Sequence, residues 1–158
     1  MIDWLEAIYR QAFPHLTSII ANSDGETQKK GVDSYLVLKN GHRVKVEEKE
    51  RKKDYGDLLL EDFSNFERRS AGWARDDRKI TDYLAYIIVP SRFAYILYYP
   101  ALRRIFIDNL DLWRQKYSYV FGKTFVGDVL LYTTASIPVP FNEFPEDWLA
   151  KNCWRYNA

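Results

Sequence analysis

The chain has 158 residues, long enough for one compact domain with its own core and short for two. Apolar residues make up 47% and aromatic residues 16%, with 12 tyrosines and 5 tryptophans, which excludes a disordered chain and implies a well-filled core. A formal net charge of +1 decides nothing about a polyanionic partner, but its distribution does: between Thr27 and Lys53 there are nine Lys or Arg against four Asp or Glu.

Residues 2–13 set Ile2, Leu5, Ile8, Tyr9 and Ala12 at helical spacing, and Pro14 ends the pattern. Asp3 and Glu6 stand where a signal peptide would carry positive charge, no apolar run reaches membrane-spanning length, and Cys153 has no disulfide partner. These features predict a cytoplasmic protein with no membrane association. A polar loop is expected at "NSDGETQKKG", then a β-hairpin over "VDSYLVLKNGHRVKVEEK". Leu58, Leu59, Phe63 and Phe66 fall on one helical stripe, predicting a helix over 57–69. "DYLAYIIV" and "RFAYILYY", separated by Pro90-Ser91, read as a second hairpin. Pro100 suits the first turn of a helix through "ALRRIFIDNLDLWRQKY". Strands are expected at "VGDVLLYTT" and "SIPVP", and a last short helix at "PEDWLAKNCW". The order predicts an α/β (α+β) single domain over 1–158, a mixed central β-sheet flanked by helices.

Two registers can close the first hairpin. A two-residue Asn40-Gly41 loop sets Asp33 opposite Glu48 and mixes apolar and charged groups on each face. A three-residue loop, Lys39-Asn40-Gly41 with Gly41 left-handed, sets Asp33 opposite Glu47. It gathers Leu36, Leu38, Val44 and Val46 on one face and leaves Lys45, Glu47 and Lys49 on the other. A one-residue slip flips every side chain, so the register that segregates apolar residues is expected. Two carboxylates facing each other across a strand pair repel unless a proton or cation lies between them. Mg²⁺ is held by one or two carboxylates plus water and phosphate oxygens, and Lys49 lies on the same face as Glu47.

"GVD", a 14-residue interval and then "VEEK" resemble the core motif of the PD-(D/E)XK, or restriction-endonuclease-like, nuclease superfamily. Val32 stands where the motif's name has Pro, and Glu50-Arg51-Lys52 offers a competing frame. The resemblance implies a restriction-endonuclease-like core in which Asp33 and Glu47 bind Mg²⁺ or Mn²⁺ and Lys49 is the catalytic lysine. Some members add an acid from the first helix, which here would be Glu6 or Asp3. A longer stretch, from "VEEKERKKDYGDLLLE" through "GWARDDRKITDYLAYIIVPS", is similar to uncharacterised proteins carried by bacteria and their phages.

Lys45, Lys52 and Lys53 then suit the phosphates flanking a scissile bond. Arg68, Arg69, Arg75, Arg78 and Lys79 form a second basic cluster for further phosphate contacts. No glycine-rich phosphate loop, zinc-binding cysteine pair or recognisably spaced Ser, His and Asp set is present. The expected function is metal-dependent hydrolysis of DNA, with a homodimer suited to cutting two strands. The alternative is a non-catalytic nucleic-acid-binding or phage assembly module on the same fold.

Overall fold

Leu5, Ile8 and Tyr9 recur at helical spacing and are buried on one side of helix α1 (Leu5–Ala12) in the computed structural model, which describes residues 2–157. There follow β1 (Leu16–Ala21), α2 (Gly25–Lys29), β2 (Ser34–Leu38), β3 (Arg43–Arg51), β4 (Asp57–Asn65), β5 (Ser70–Ala71), β6 (Tyr83–Ile88) and β7 (Phe93–Tyr98). Then come α3 (Tyr99–Lys116), β8 (Val120–Val126), β9 (Val129–Pro140), a 3-10 turn at Phe141–Glu143, α4 (Trp148–Lys151) and β10 (Cys153–Arg155). The α+β class is as the sequence predicts. The residues gather into two compact units: one runs to Tyr55, resumes over Lys79–Pro100 and again from Pro145, and the other holds Gly56–Arg78 and Ala101–Phe144. Among the described residues no helix is long and apolar enough to cross a membrane.

The first unit is built on a six-stranded mixed sheet, ordered β1-β2-β3-β6-β7-β10. All neighbours are antiparallel except β3 and β6, which run parallel with Glu47 beside Leu84 and Lys49 beside Tyr86. One core gathers Leu5, Ile8 and Tyr9 of α1 with Leu36, Val44, Val46, Ala85, Ile87, Ala94 and Ile96 of the sheet. Each such aliphatic side chain stabilises the fold by roughly 1.5–3 kcal/mol when fully buried. The predicted loop "NSDGETQKKG" contains α2, because the Asp24 carboxylate accepts the Glu26 and Thr27 amides and caps it. The second hairpin forms as predicted, pairing Tyr83 with Tyr98 through Ile88 with Phe93.

The second unit is an antiparallel four-stranded sheet, ordered β5-β4-β9-β8, together with most of α3. Here the sequence reading is corrected: residues 57–65 are strand β4, where a helix over 57–69 is predicted. The decisive period is two. Leu58, Leu60 and Asp62 are fully buried, and Leu58 and Leu60 pair with Val139 and Ile137 of β9, which are also buried. A buried aspartate within that alternation disguises it. The expected strands "VGDVLLYTT" and "SIPVP" also change, since the Gly127-Asp128 turn separates β8 from a single long β9. Pro138 and Pro140 are tolerated there because β8 pairing stops at Val120 opposite Ser136, so neither ring displaces a ladder donor on that side. In the first unit, the predicted last helix is reduced to the four residues of α4, followed by β10.

Asp62 anchors the second unit. Its carboxylate accepts Arg114 Nε and Nη2 at 2.7 and 2.9 Å, Arg75 Nε at 2.6 Å and the Tyr119 hydroxyl. Burial pushes its pKa up, but the hydrogen bonds from Arg114, Tyr119 and Arg75 outweigh that and hold it below the usual range. Glu143 accepts from Lys116, Tyr117 and Trp113, which bring its carboxyl down to about 2. Replacing Asp62 with Ala leaves two guanidinium groups without their counterion and is expected to cost about 3–5 kcal/mol in urea unfolding of the chain. Both carboxyl groups have depressed folded values, so their stabilisation is complete above the unfolded values near about 4 and is lost as pH falls through the folded ones. The urea midpoint is therefore expected to be level above about pH 5 and to drop from about pH 4.3 toward 2, less steeply in Glu143→Gln.

Candidate functional site

The first hairpin closes with three loop residues. Ser34 pairs with Val46, Leu36 with Val44 and Val37 with Arg43, while the Leu38 amide donates to the His42 carbonyl at 2.9 Å. Gly41 has φ +84, the left-handed position the loop requires, and the Asn40 side chain accepts the His42 amide. The ladder ends at Ser34 opposite Val46; Asp33, just outside β2, also donates its amide to the Val46 carbonyl at 2.8 Å, so the expected placement of Asp33 opposite Glu47 is not among the strand pairs. Leu36, Val44 and Val46 are buried beneath α1, as the segregation argument requires.

Glu47 is the unusual residue of β3. It is a glutamate only 3% exposed, and its Oε1 lies 2.8 Å from Lys49 Nζ and 3.3 Å from Lys79 Nζ. Its Oε2 is buried and accepts no hydrogen bond among the described residues. Gly31, with φ +82, forms the wall of this recess: a Cβ there would stand 2.7 Å from Glu47 Oε2 and 2.8 Å from Lys79 Cδ. The buried Thr81 hydroxyl donates to the Gly31 carbonyl at 2.6 Å and holds that wall in place. Burying a carboxylate without neutralisation is prohibitive, so the two ammonium groups are what permit Glu47 to sit here. The orphaned Oε2 still forfeits the hydrogen bonds it would make in water.

The next residue points the other way. Glu48 Oε1 accepts the Tyr9 hydroxyl at 2.8 Å and the Ser34 hydroxyl at 3.0 Å. Burial, then the Glu48 charge, raises the Tyr9 phenol well above its usual value. The Glu48 amide donates to Asp33 Oδ2 at 2.8 Å, fixing the Asp33 side chain at the mouth of the hairpin.

The remaining sequence-selected residues lie as follows. Lys45 pairs with Asp82 at 3.3 Å, while Lys52 and Lys53 are exposed just past the end of β3. Glu6 forms an exposed ion pair with Arg10 one helical turn along α1. In the second unit, Arg68 and Arg69 are exposed, and Arg69 stacks 4.5 Å from the Phe66 ring centre. Arg75 is engaged with Asp62 and lies over the Phe63 ring. Among the described residues no set of three or more His, Cys, Asp or Glu is grouped to share a metal ion.

Sequence reasoning gave Lys79 to a basic cluster with Arg75 and Arg78, whereas its side chain is 11% exposed and belongs with Glu47. Gly31 and Thr81 escaped notice as site residues. The glycine directly before Val32-Asp33 was the available signal; nothing in the sequence ties Lys79 or Thr81 to Glu47, which lies over 30 residues away. Comparison with protein-family models, curated proteins and solved structures finds no match for this chain. The site thus defines an α+β protein with a buried glutamate gripped by two lysines. Gly31→Ala is expected to cost about 1–3 kcal/mol for backbone strain alone, with more from displacing Glu47, measured by urea unfolding against Gly25→Ala, where a Cβ meets open space.

Proposed function

We propose that this chain is a metal-dependent nuclease hydrolysing DNA phosphodiester bonds, with a restriction-endonuclease-like core carrying its site on the first hairpin. The observation that carries the reading is Glu47 Oε2, a buried carboxylate oxygen with no protein partner, on the face shared by Lys49. An acceptor left bare in such a place fits a cation better than a purely structural ion pair, which would be satisfied at both oxygens. Asp33 and Glu47 would hold Mg²⁺ or Mn²⁺, a ligand number that suits Mg²⁺ because it keeps several waters and takes phosphate oxygens. When bound, the ion supplies Lewis-acid polarisation of a phosphate oxygen and a water of lowered pKa.

The chain's own groups do the rest. Lys49, fixed at Glu47 and a third exposed, presents an ammonium to solvent that can orient a water or meet charge developing on a phosphate. Lys79 adds a second ammonium on the same carboxylate, giving Glu47, Lys49 and Lys79 together a charge of +1, favourable to an anionic substrate. Lys52 and Lys53 continue the basic track along the chain, with Lys45 held beside it by Asp82. Exposed Arg68 and Arg69 offer the second unit's own phosphate contacts.

A second reading has its own observation. Glu47 Oε1 is neutralised by two lysines within the chain, which is how a non-catalytic nucleic-acid-binding or phage assembly module would use the same residues. Labelled linear, single-stranded and four-way-branched DNA, incubated with Mn²⁺ or Mg²⁺ and with EDTA, separates the two. The nuclease reading expects cleavage abolished by EDTA and by Asp33→Ala, and reduced on the order of 100-fold or more in Lys49→Ala. It also expects Mn²⁺ to raise the melting temperature of wild type and not of Glu47→Gln. DNA binding with neither cleavage nor a metal-dependent shift would leave the module.

A further inference from the structure

We propose that the β8–β9 hairpin is the surface through which two copies of this chain associate, edge strand β8 of one copy pairing antiparallel with β8 of the other about a two-fold axis. This stands apart from the nuclease reading and holds whether or not the Glu47 site cuts DNA.

The hairpin runs past the sheet that supports it. The β4–β9 ladder ends at Phe63 opposite Ala135, and the last backbone bond near it joins the Phe66 amide to the Thr133 carbonyl. Beyond that point β8 and β9 pair with each other alone, through Lys123 with Thr133 to Val126 with Val129. A two-stranded ribbon by itself is marginal in water. This one is also apolar on both faces. Across the whole hairpin, eight hydrophobic residues from Val120 to Tyr132 are exposed, six of them beyond the supported part, and Phe125, Val126, Val129 and Leu131 each by more than half. The charged residues in that stretch are Lys123 and Asp128, one of each sign.

The second copy is the occupant these facts favour. Strand β8 is the outer strand of the sheet, so the backbone groups on its far side have no strand to pair with among the described residues. Such an edge is a template for another strand, and a strand pairing antiparallel with itself uses one patch twice, as a two-fold interface requires. The side chains beside that edge are apolar too: Val120, Phe121, Phe125 and Val126 of β8 are each about half exposed or more, and antiparallel pairing sets them against their counterparts in the second copy. One Lys and one Asp per ribbon leave no net charge to repel a copy, and a chain of net +1 adds little more.

Sedimentation equilibrium of the full chain between about 1 and 100 μM tests the proposal, the range in which a small interface assembles. The expected result is a mass of twice 18.8 kDa that falls on dilution, with amide exchange across Val120–Val126 slowing as concentration rises. Val126→Glu and Phe125→Glu, at positions 63% and 54% exposed, are each expected to keep the melting temperature of the dilute wild-type protein while raising the dimer dissociation constant at least tenfold. A wild-type monomer at 100 μM would overturn the proposal, as would a dimer indifferent to both substitutions. A monomer that instead floats with phosphatidylcholine vesicles, and stops doing so in Val126→Glu, would overturn it in favour of a lipid surface.

Discussion

The parity of strand β3 is the constraint on which the rest of the first unit depends. A three-residue turn at 39–41 sets that parity, and side chains alternate strictly from there. Val44 and Val46 therefore enter the core under α1, while Lys45, Glu47 and Lys49 share the opposite face. A slip of one residue would drive Glu47 under the helix and expose the valines. The turn residue, the core and the charged recess are thus one decision, enforced by burial of the apolar face.

That recess is an expensive arrangement. Glu47 is almost fully buried, and the chain brings in Lys79 from just before β6, beside Lys49 from its own strand, to neutralise it. Gly31 contributes by having no side chain, and Thr81 by tying down the carbonyl behind it. Asp62 in the second unit shows how a buried carboxylate looks when the fold satisfies it completely, with two arginines and a tyrosine around both oxygens. Measured against Asp62, Glu47 differs in that its buried Oε2 accepts no hydrogen bond among the described residues.

The two units also differ in how they treat their sheet margins. The six-stranded sheet ends on short β10, which pairs only three residues of β7, and on β1, whose register is broken by a bulge between Leu16 and Ser18. Both are common ways of blunting an edge. The four-stranded sheet ends on seven-residue β8 with exposed apolar side chains on both faces and a single lysine.

The sequence by itself determined whatever rests on local periodicity and turn chemistry. It specified α1 before Pro14, the three-residue turn at Gly41, the hairpin around Pro90-Ser91 and the helix that opens at Pro100, because each is set by residues within a few positions of one another. Tertiary structure alone decided what rests on partners distant in the chain. Residues 57–65 carry both a helical stripe and an alternating one, and it is β9, about 80 residues on, that selects the strand by burying Leu58 and Leu60 against Val139 and Ile137. Lys79 and Thr81 could not be read as site residues, because their nearness to Glu47 and Gly31 exists only once β6 lies parallel to β3. Backbone propensity and turn geometry act within a few residues, whereas neutralising a buried charge or covering an apolar face depends on whichever segment the fold brings alongside.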